Sequence, residues 1–138
     1  MRPLFSAERA VLFQDIDAAG IVFYARIFDY CHDAFFAFLA ARGLSMPKVV
    51  SEGVWGSPIV HAEANYLSPL RFGDRMRVQI MSVQLGGASM RVTSRIVDFS
   101  GNVACSVSLV HAFVDCKTVK ARPVPAEVRD ALEDWATS

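Results

Sequence analysis

The sequence has little of what several common function classes depend on. It has no charge excess: 14 Lys and Arg balance 14 Asp and Glu, and the net charge is zero. Holding a polyanion takes a surplus of Lys and Arg, so no nucleic-acid partner is expected. Cysteine is scarce, and Cys31, Cys105 and Cys116 are an odd number without close pairing. That excludes a disulfide framework and fits free thiols in a reducing cytoplasm. The cysteines and His32, His61 and His111 lack paired ligand spacing, so no metal and no cofactor is expected. No apolar run is long enough for a membrane span, and Met1-Arg2-Pro3-Leu4-Phe5 lacks a signal-peptide core. The expectation is a soluble, cytoplasmic protein with no membrane partner. No Gly-x-Ser-x-Gly elbow occurs, which argues against an α/β-hydrolase triad. Linkers and repeats are missing too, and 138 residues make one domain, 1–138.

What is present is apolar. Hydrophobic residues make up 53% of the chain and ten are phenylalanine, which points to a thick core, an interface or a greasy pocket. Residues 8 to 14 alternate like a first strand. Residues 24 to 42 read as a helix, because Phe28, Cys31, Phe35, Phe38 and Leu39 recur at three- and four-residue steps and Gly43 supplies a stop. Its polar stripe, Arg26, Asp29 and Asp33, is narrow, so other structure should wrap the helix. A short helical turn at 46 to 52 precedes four strands near 60–66, 75–84, 89–99 and 103–114, separated by Pro69, Gly73-Asp74, Gly86-Gly87 and Ser100-Gly101-Asn102. Pro125 then opens a terminal helix over 126–135. The class is α+β, with one long helix embraced by a curved antiparallel sheet.

The stretch that carries chemistry is Phe13-Gln-Asp15-Ile-Asp17-Ala-Ala-Gly20-Ile-Val22-Phe-Tyr24. Gly20 permits a tight turn. A strand, an acid-bearing loop and then a helix would bring Asp17 close to unpaired N–H groups at the helix start, where negative charge is favoured. A carboxylate beside such donors can work on an acyl carbonyl, although two acids in a glycine-containing loop can equally cap turns. Asp15 reads as structural, accepting backbone hydrogen bonds.

The motif Asp15-x-Asp17-x-x-Gly20-x-Val22-x-Tyr24 resembles the signature of hotdog-fold acyl-CoA thioesterases of the 4-hydroxybenzoyl-CoA thioesterase family. The resemblance continues through Gly53-Val-Trp55-Gly56-Ser57-Pro-Ile-Val60 and Gly73-Asp74. Cys31-His32-Asp33-Ala34 and Pro58-Ile-Val-His61-Ala62 are also similar to 1,4-dihydroxy-2-naphthoyl-CoA thioesterases. The resemblance implies a hotdog fold and hydrolysis of an acyl-CoA, with Asp17 as the catalytic carboxylate and the Tyr24 backbone N–H polarising the thioester carbonyl. It places Trp55, Gly56 and Ser57 beside the acyl pocket. It also implies a homodimer, commonly doubled to a homotetramer, with active sites at the subunit boundary.

The chain departs from that pattern at two places. The 4-hydroxybenzoyl-CoA enzyme has a helix aspartate that reads the substrate phenol, and His32 stands at the matching position here. A neutral imidazole could pair with an aryl hydroxyl, as could His61 on its polar strand face, or both could be structural. Where that enzyme carries a basic cluster for the CoA nucleotide, this chain has Gly86-Gly87-Ala88, leaving Ser89 and, further along, Arg91 and Arg95. The expected reaction is hydrolysis of an aromatic acyl-CoA. Its rivals are a thioesterase for acyl chains on a carrier protein, a non-catalytic thioester-binding protein and a 3-hydroxyacyl dehydratase, the last disfavoured because no histidine precedes the helix.

Overall fold

A computed structural model describes residues 2–137. The chain runs β1 (Phe5–Ala10), a 3-10 turn (Phe13–Asp15), α1 (Arg26–Ala41), α2 (Met46–Glu52), β2 (Trp55–Gly56) and β3 (Ile59–Tyr66). It continues through β4 (Arg75–Leu85), β5 (Ser89–Asp98), β6 (Val103–Ala112), β7 (Val114–Asp115), α3 (Ala126–Leu132) and β8 (Ala136–Thr137). The sheet order is β1-β4-β5-β6-β3, antiparallel throughout, with β8 adding a short parallel pairing to β4. Two hairpins link β4 to β5 and β5 to β6, whereas β3 pairs with β6 and not with β4, the strand that follows it. The stretch 67–74 therefore crosses from one edge of the sheet to the far side.

One long helix lies against the concave face. Ile27, Tyr30, Cys31, Ala34, Phe35, Phe38 and Leu39 on α1 are buried at their three- and four-residue spacing. They meet Met76, Val78, Ile80, Val92, Ile96, Val107 and Leu109 from the sheet in one hydrophobic core. At roughly 25 cal/mol per Å² of apolar surface, each fully covered large side chain contributes about 1.5–3 kcal/mol, so the α1 stripe is a principal source of stability. Two bulged registers, Ile80/Ser82 in β4 and Ile96/Val97 in β5, accentuate the twist with which the sheet curls around the helix. Phe28, His32 and Phe36 form a second, half-buried stripe on α1.

The first strand lies earlier than its alternating pattern implies. β1 ends at Ala10 because its partner β4 begins at Arg75. Beyond it Val11 N–H donates to Asp74 C=O, and the chain curls into the 3-10 turn with Phe13 71% exposed. The long helix begins at Arg26, so Tyr24 lies in the turn before it. The last strand breaks at Phe113, and the terminal helix stops at Leu132, short of Trp135. β3 is an outer edge of the sheet, and its residues are exposed apart from the half-buried Ala64. All three cysteines are free: Cys31 and Cys105 are buried and Cys116 is exposed. Among the described residues no helix is long and apolar enough to cross a membrane.

Candidate active site

The loop that follows β1 is built around two carboxylates with different jobs. Asp15 is buried, and its Oδ2 accepts a 2.7 Å hydrogen bond from Tyr30 Oη on α1. The expectation of backbone donors for this carboxylate is not met; its donor is a phenol, with Arg26 Nε at 3.9 Å from the other oxygen. Desolvation and the adjacent Asp15 carboxylate push the Tyr30 phenol well above the ordinary tyrosine value, so it remains a donor. Arg9 lies 4.1 Å over the Tyr30 ring and reaches Asp33 at 3.3 Å. This network ties the loop to the side of α1.

Asp17, two residues on, is exposed. Its Oδ1 accepts from Ala19 N–H at 2.8 Å, while Oδ2 accepts no hydrogen bond among the described residues. Gly20 N–H closes the turn onto Asp17 C=O at 3.0 Å, and Gly20 has φ +80°, a conformation that a side chain would strain. The turn is pinned again by Asp17 N–H to Ile21 C=O and Val22 N–H to Leu70 C=O. The carboxylate is thus held by its own backbone with one oxygen uncommitted.

That oxygen belongs to a residue on the wall of a cavity of about 420 Å³. Its other walls are Ile21 to Tyr24 before α1 and Ile27 in its first turn, Tyr66 at the end of β3 with Leu67 to Leu70 beyond it, and Cys105 on β6. The lining is mostly apolar, which suits an acyl group. Phe23 N–H donates to Asp15 C=O, and Arg26 N–H donates to Phe23 C=O. No backbone carbonyl among the described residues accepts the Tyr24 N–H between them. The cavity wall therefore includes the carboxylate residue Asp17 and, near a helix start, Tyr24 with its unpaired backbone N–H; a carboxylate and an oxyanion donor are groups that thioester hydrolysis can use.

The remaining candidate residues do not line this cavity within the single chain. Trp55 is buried against Phe113, and its indole N–H donates to Glu127 on α3. Gly56 pairs with Val114 in the β2–β7 ladder. Ser57 offers its carbonyl to His111 Nδ1 at 3.2 Å. His111, fully buried on β6, faces His32 with ring centroids 5.8 Å apart, and His32 also packs on Phe36 at 4.4 Å. Burial holds His111 below the ordinary imidazole value, with the neighbouring His32 adding to that. With Nδ1 donating to Ser57, its Nε2 is an acceptor, and it is buried without a partner. His61 is exposed and sits 3.4 Å from Glu63. Ser57, His111 and His32 are thus one cluster and Asp17 with Tyr24 another.

Ser89 and Arg91 border a shallow depression at the β4–β5 hairpin, and Arg91 donates to Ser108 at 2.8 Å. Arg95 donates to Gln79 at 2.7 Å. Arg122, absent from the sequence expectations, opens onto the same hairpin beside Gly87 and Ala88. Tyr66, Ser68 and Cys105 were also missed as cavity residues. They come from β3, the connection after it and β6, far from the motif in sequence, and no local pattern marks them.

The profile of the thioesterase-like superfamily matches residues 11–132. The chain belongs to that superfamily. A 1,4-dihydroxy-2-naphthoyl-CoA hydrolase of Synechococcus elongatus is 33% identical over 132 residues, covering 95% of this chain and 93% of the relative. Its counterpart from Thermosynechococcus vestitus is 30% identical, covering 99% and 90%. Among solved structures, a 1,4-dihydroxy-2-naphthoyl-CoA thioesterase from Synechocystis superposes with a TM-score of 0.88 at 26% identity, covering 94% of this chain and 96% of that one. A gentisyl-coenzyme A thioesterase gives 0.81 at 28% identity, covering 90% and 98%. The fold is the hotdog fold, and the enzyme class is that of a thioester hydrolase.

Proposed function

We propose that this thioesterase hydrolyses an aromatic acyl-CoA to the free acid and CoA, with Asp17 as its catalytic carboxylate. The observation that carries this is the pairing, in one apolar cavity, of the uncommitted Asp17 Oδ2 with the turn that bears the Tyr24 N–H. The relatives named for 1,4-dihydroxy-2-naphthoyl-CoA and gentisyl-CoA support an aromatic acyl group. As general base, Asp17 takes a proton from water, whose oxygen attacks the thioester carbonyl. The oxyanion forms against the Tyr24 N–H, the C–S bond breaks, and the thiolate of CoA leaves and is protonated. As nucleophile, the same carboxylate attacks the carbonyl, the C–S bond breaks and CoA leaves as its thiolate, and water then cleaves the resulting mixed anhydride to release the acid and restore Asp17.

The second cluster enters this reading through a partner copy. β3 presents Ile59, Val60 and Tyr66, with Leu67 just beyond it, at an edge of the sheet, and the Phe28, His32 and Phe36 stripe on α1 is half-covered. Pairing of two β3 edges would close the sheet across a homodimer, and a further pairing of dimers would give a tetramer. Such an assembly would bring His32, His61 and the Trp55-Gly56-Ser57 segment of one subunit towards the Asp17 cavity of the other, with Gly20 shaping the acid-bearing turn. Ser89 and Arg91, with Arg122 beside the same hairpin, would face the CoA nucleotide. The location is the cytoplasm, where acyl-CoA substrates and free thiols coexist.

The test is hydrolysis by wild type and Asp17→Asn across benzoyl-, hydroxybenzoyl-, dihydroxynaphthoyl-, phenylacetyl- and short aliphatic CoAs, with a carrier-protein thioester alongside. Turnover of aryl-CoAs that falls by about 100-fold or more in the variant is the expected result. Turnover indifferent to Asp17 sinks the mechanism, and activity confined to the carrier-bound substrate replaces the substrate class.

A further inference from the structure

The N-terminus of α1 lacks a side-chain cap, because Ala25 occupies the N-cap position. The peptide that carries the Tyr24 N–H is instead held through its neighbours. On one side Phe23 N–H donates to Asp15 C=O, and the peptide's own carbonyl, Phe23 C=O, accepts from Arg26 N–H. On the other side Tyr66 Oη donates a 2.8 Å hydrogen bond to Tyr24 C=O. Tyr66 closes β3, pairs with Cys105 of β6, and its ring forms part of the cavity wall. Its backbone is anchored just beyond, where Leu67 N–H and Ser68 N–H both donate to Ala104 C=O. A two-torsion aromatic arm on so firm a base delivers its hydroxyl to one place.

A hydroxyl in an acyl cavity would ordinarily be read as a substrate contact. The phenol has one proton, however, and that proton is committed to the Tyr24 carbonyl. Desolvation raises the Tyr66 ionisation above its ordinary value, so the proton stays in place at neutral pH. A phenylalanine would fill the same wall but leave the Tyr24–Ala25 peptide without this tie to the sheet.

We propose that Tyr66 is a positioning residue for thioester hydrolysis: its hydroxyl clamps the Tyr24 carbonyl and so holds the adjacent Tyr24 N–H towards the acyl carbonyl at Asp17. This rests on the catalytic reading above. Tyr66→Phe keeps the ring and removes the clamp. A donor that is misaimed only as the oxyanion forms should lower kcat by about tenfold while KM changes by less than about twofold. A spectroscopic signature accompanies it. Bound to wild type, an unreactive ketone analogue of an aryl-CoA, with a methylene between carbonyl and sulfur and a ¹³C carbonyl, should show a lowered infrared carbonyl stretch. In Tyr66→Phe much of that lowering should be lost.

Failure of the two proposals is distinguishable. Wild type inactive on every thioester, or activity indifferent to Asp17→Asn, overturns the catalytic reading. Wild type active and Asp17-dependent, with Tyr66→Phe equal to it in kcat and in carbonyl stretch, overturns the Tyr66 inference alone. Backbone order parameters of Phe23 to Arg26 by NMR decide the clamp without turnover: a fall in Tyr66→Phe is expected, and unchanged values refute it.

Discussion

Removing one oxygen from the core, by Tyr30→Phe, tests how the acid-bearing loop is held. Tyr30 is 1% exposed and its hydroxyl donates to the buried Asp15 carboxylate at 2.7 Å. The cation beside Asp15, Arg26 Nε, lies at 3.9 Å, on a side chain 46% exposed, and cannot replace that donor. A hydrogen bond to a charged group contributes about 1.5–3 kcal/mol, and a buried carboxylate left without it falls in the upper part of that range. At an unfolding entropy of about 2.1 cal/mol/K per residue, a chain of this length loses about 5–10 °C in Tm. The assay is thermal unfolding by circular dichroism at matched protein concentration. The double variant Asp15→Asn with Tyr30→Phe should cost less than the sum of the two single changes, because it removes the stranded charge as well as its donor. A Tyr30→Phe protein within about 1 °C of wild type, or strict additivity in the cycle, would refute the account.

Two further outcomes follow from single residues. Burial lowers the folded His111 pKa below the ordinary value near ~6.5, so the unfolded chain binds the extra proton first. Stability is therefore full above about pH 6.5 and declines on acidification, by at most about 1.4 kcal/mol per pH unit for this one group; urea titrations of wild type and His111→Gln should show the slope reduced in the variant, and an unchanged slope would refute the assignment. Val119 holds φ 57° in the tight turn after β7, an unfavourable region for a β-branched residue, and it is 71% exposed. Val119→Asn should stabilise by about 0.5–1 kcal/mol, read as a rise in Tm, with no change in thioester turnover.

What could be read from the sequence is what is local. The three- and four-residue recurrence from Phe28 to Leu39 defined α1 because one helix face meets one sheet. The turns were visible because they need special backbone: Gly73 before β4 and Gly101 in the β5–β6 hairpin have φ of 88° and 89°, and Asp98 Oδ1 accepts the N–H groups of Ser100 and Asn102. The first strand misled for the same reason. Ala10 to Gln14 alternates as a strand does, but pairing is decided by β4, whose residues run out at Arg75. Strand order was also invisible in the pattern of β3, since alternation says nothing about which neighbour a strand chooses.

The site divides along the same line. Asp17, Gly20 and Tyr24 are contiguous, so one loop carries them and the motif exposes them. Tyr66 and Cys105 join that loop only because β3 pairs with β6, a contact 39 residues apart in sequence at that rung. The apolar alternation of β3 would normally mark a buried face, yet Val60 is 62% and Tyr66 49% exposed. A strand patterned for burial but left uncovered at a sheet edge is a surface awaiting a neighbour. His32, stacked on His111 beneath the Ser57 carbonyl, likewise belongs to an ordered polar cluster that lies outside the Asp17 cavity of the single chain. Asp17, Tyr24 and Tyr66 thus line one cavity of the single chain, while His32, His61 and the Trp55-Gly56-Ser57 segment stand apart from it. Under the proposed assembly those two halves meet across the β3 edge, and chemistry and ring selection would then be set by different subunits at each site.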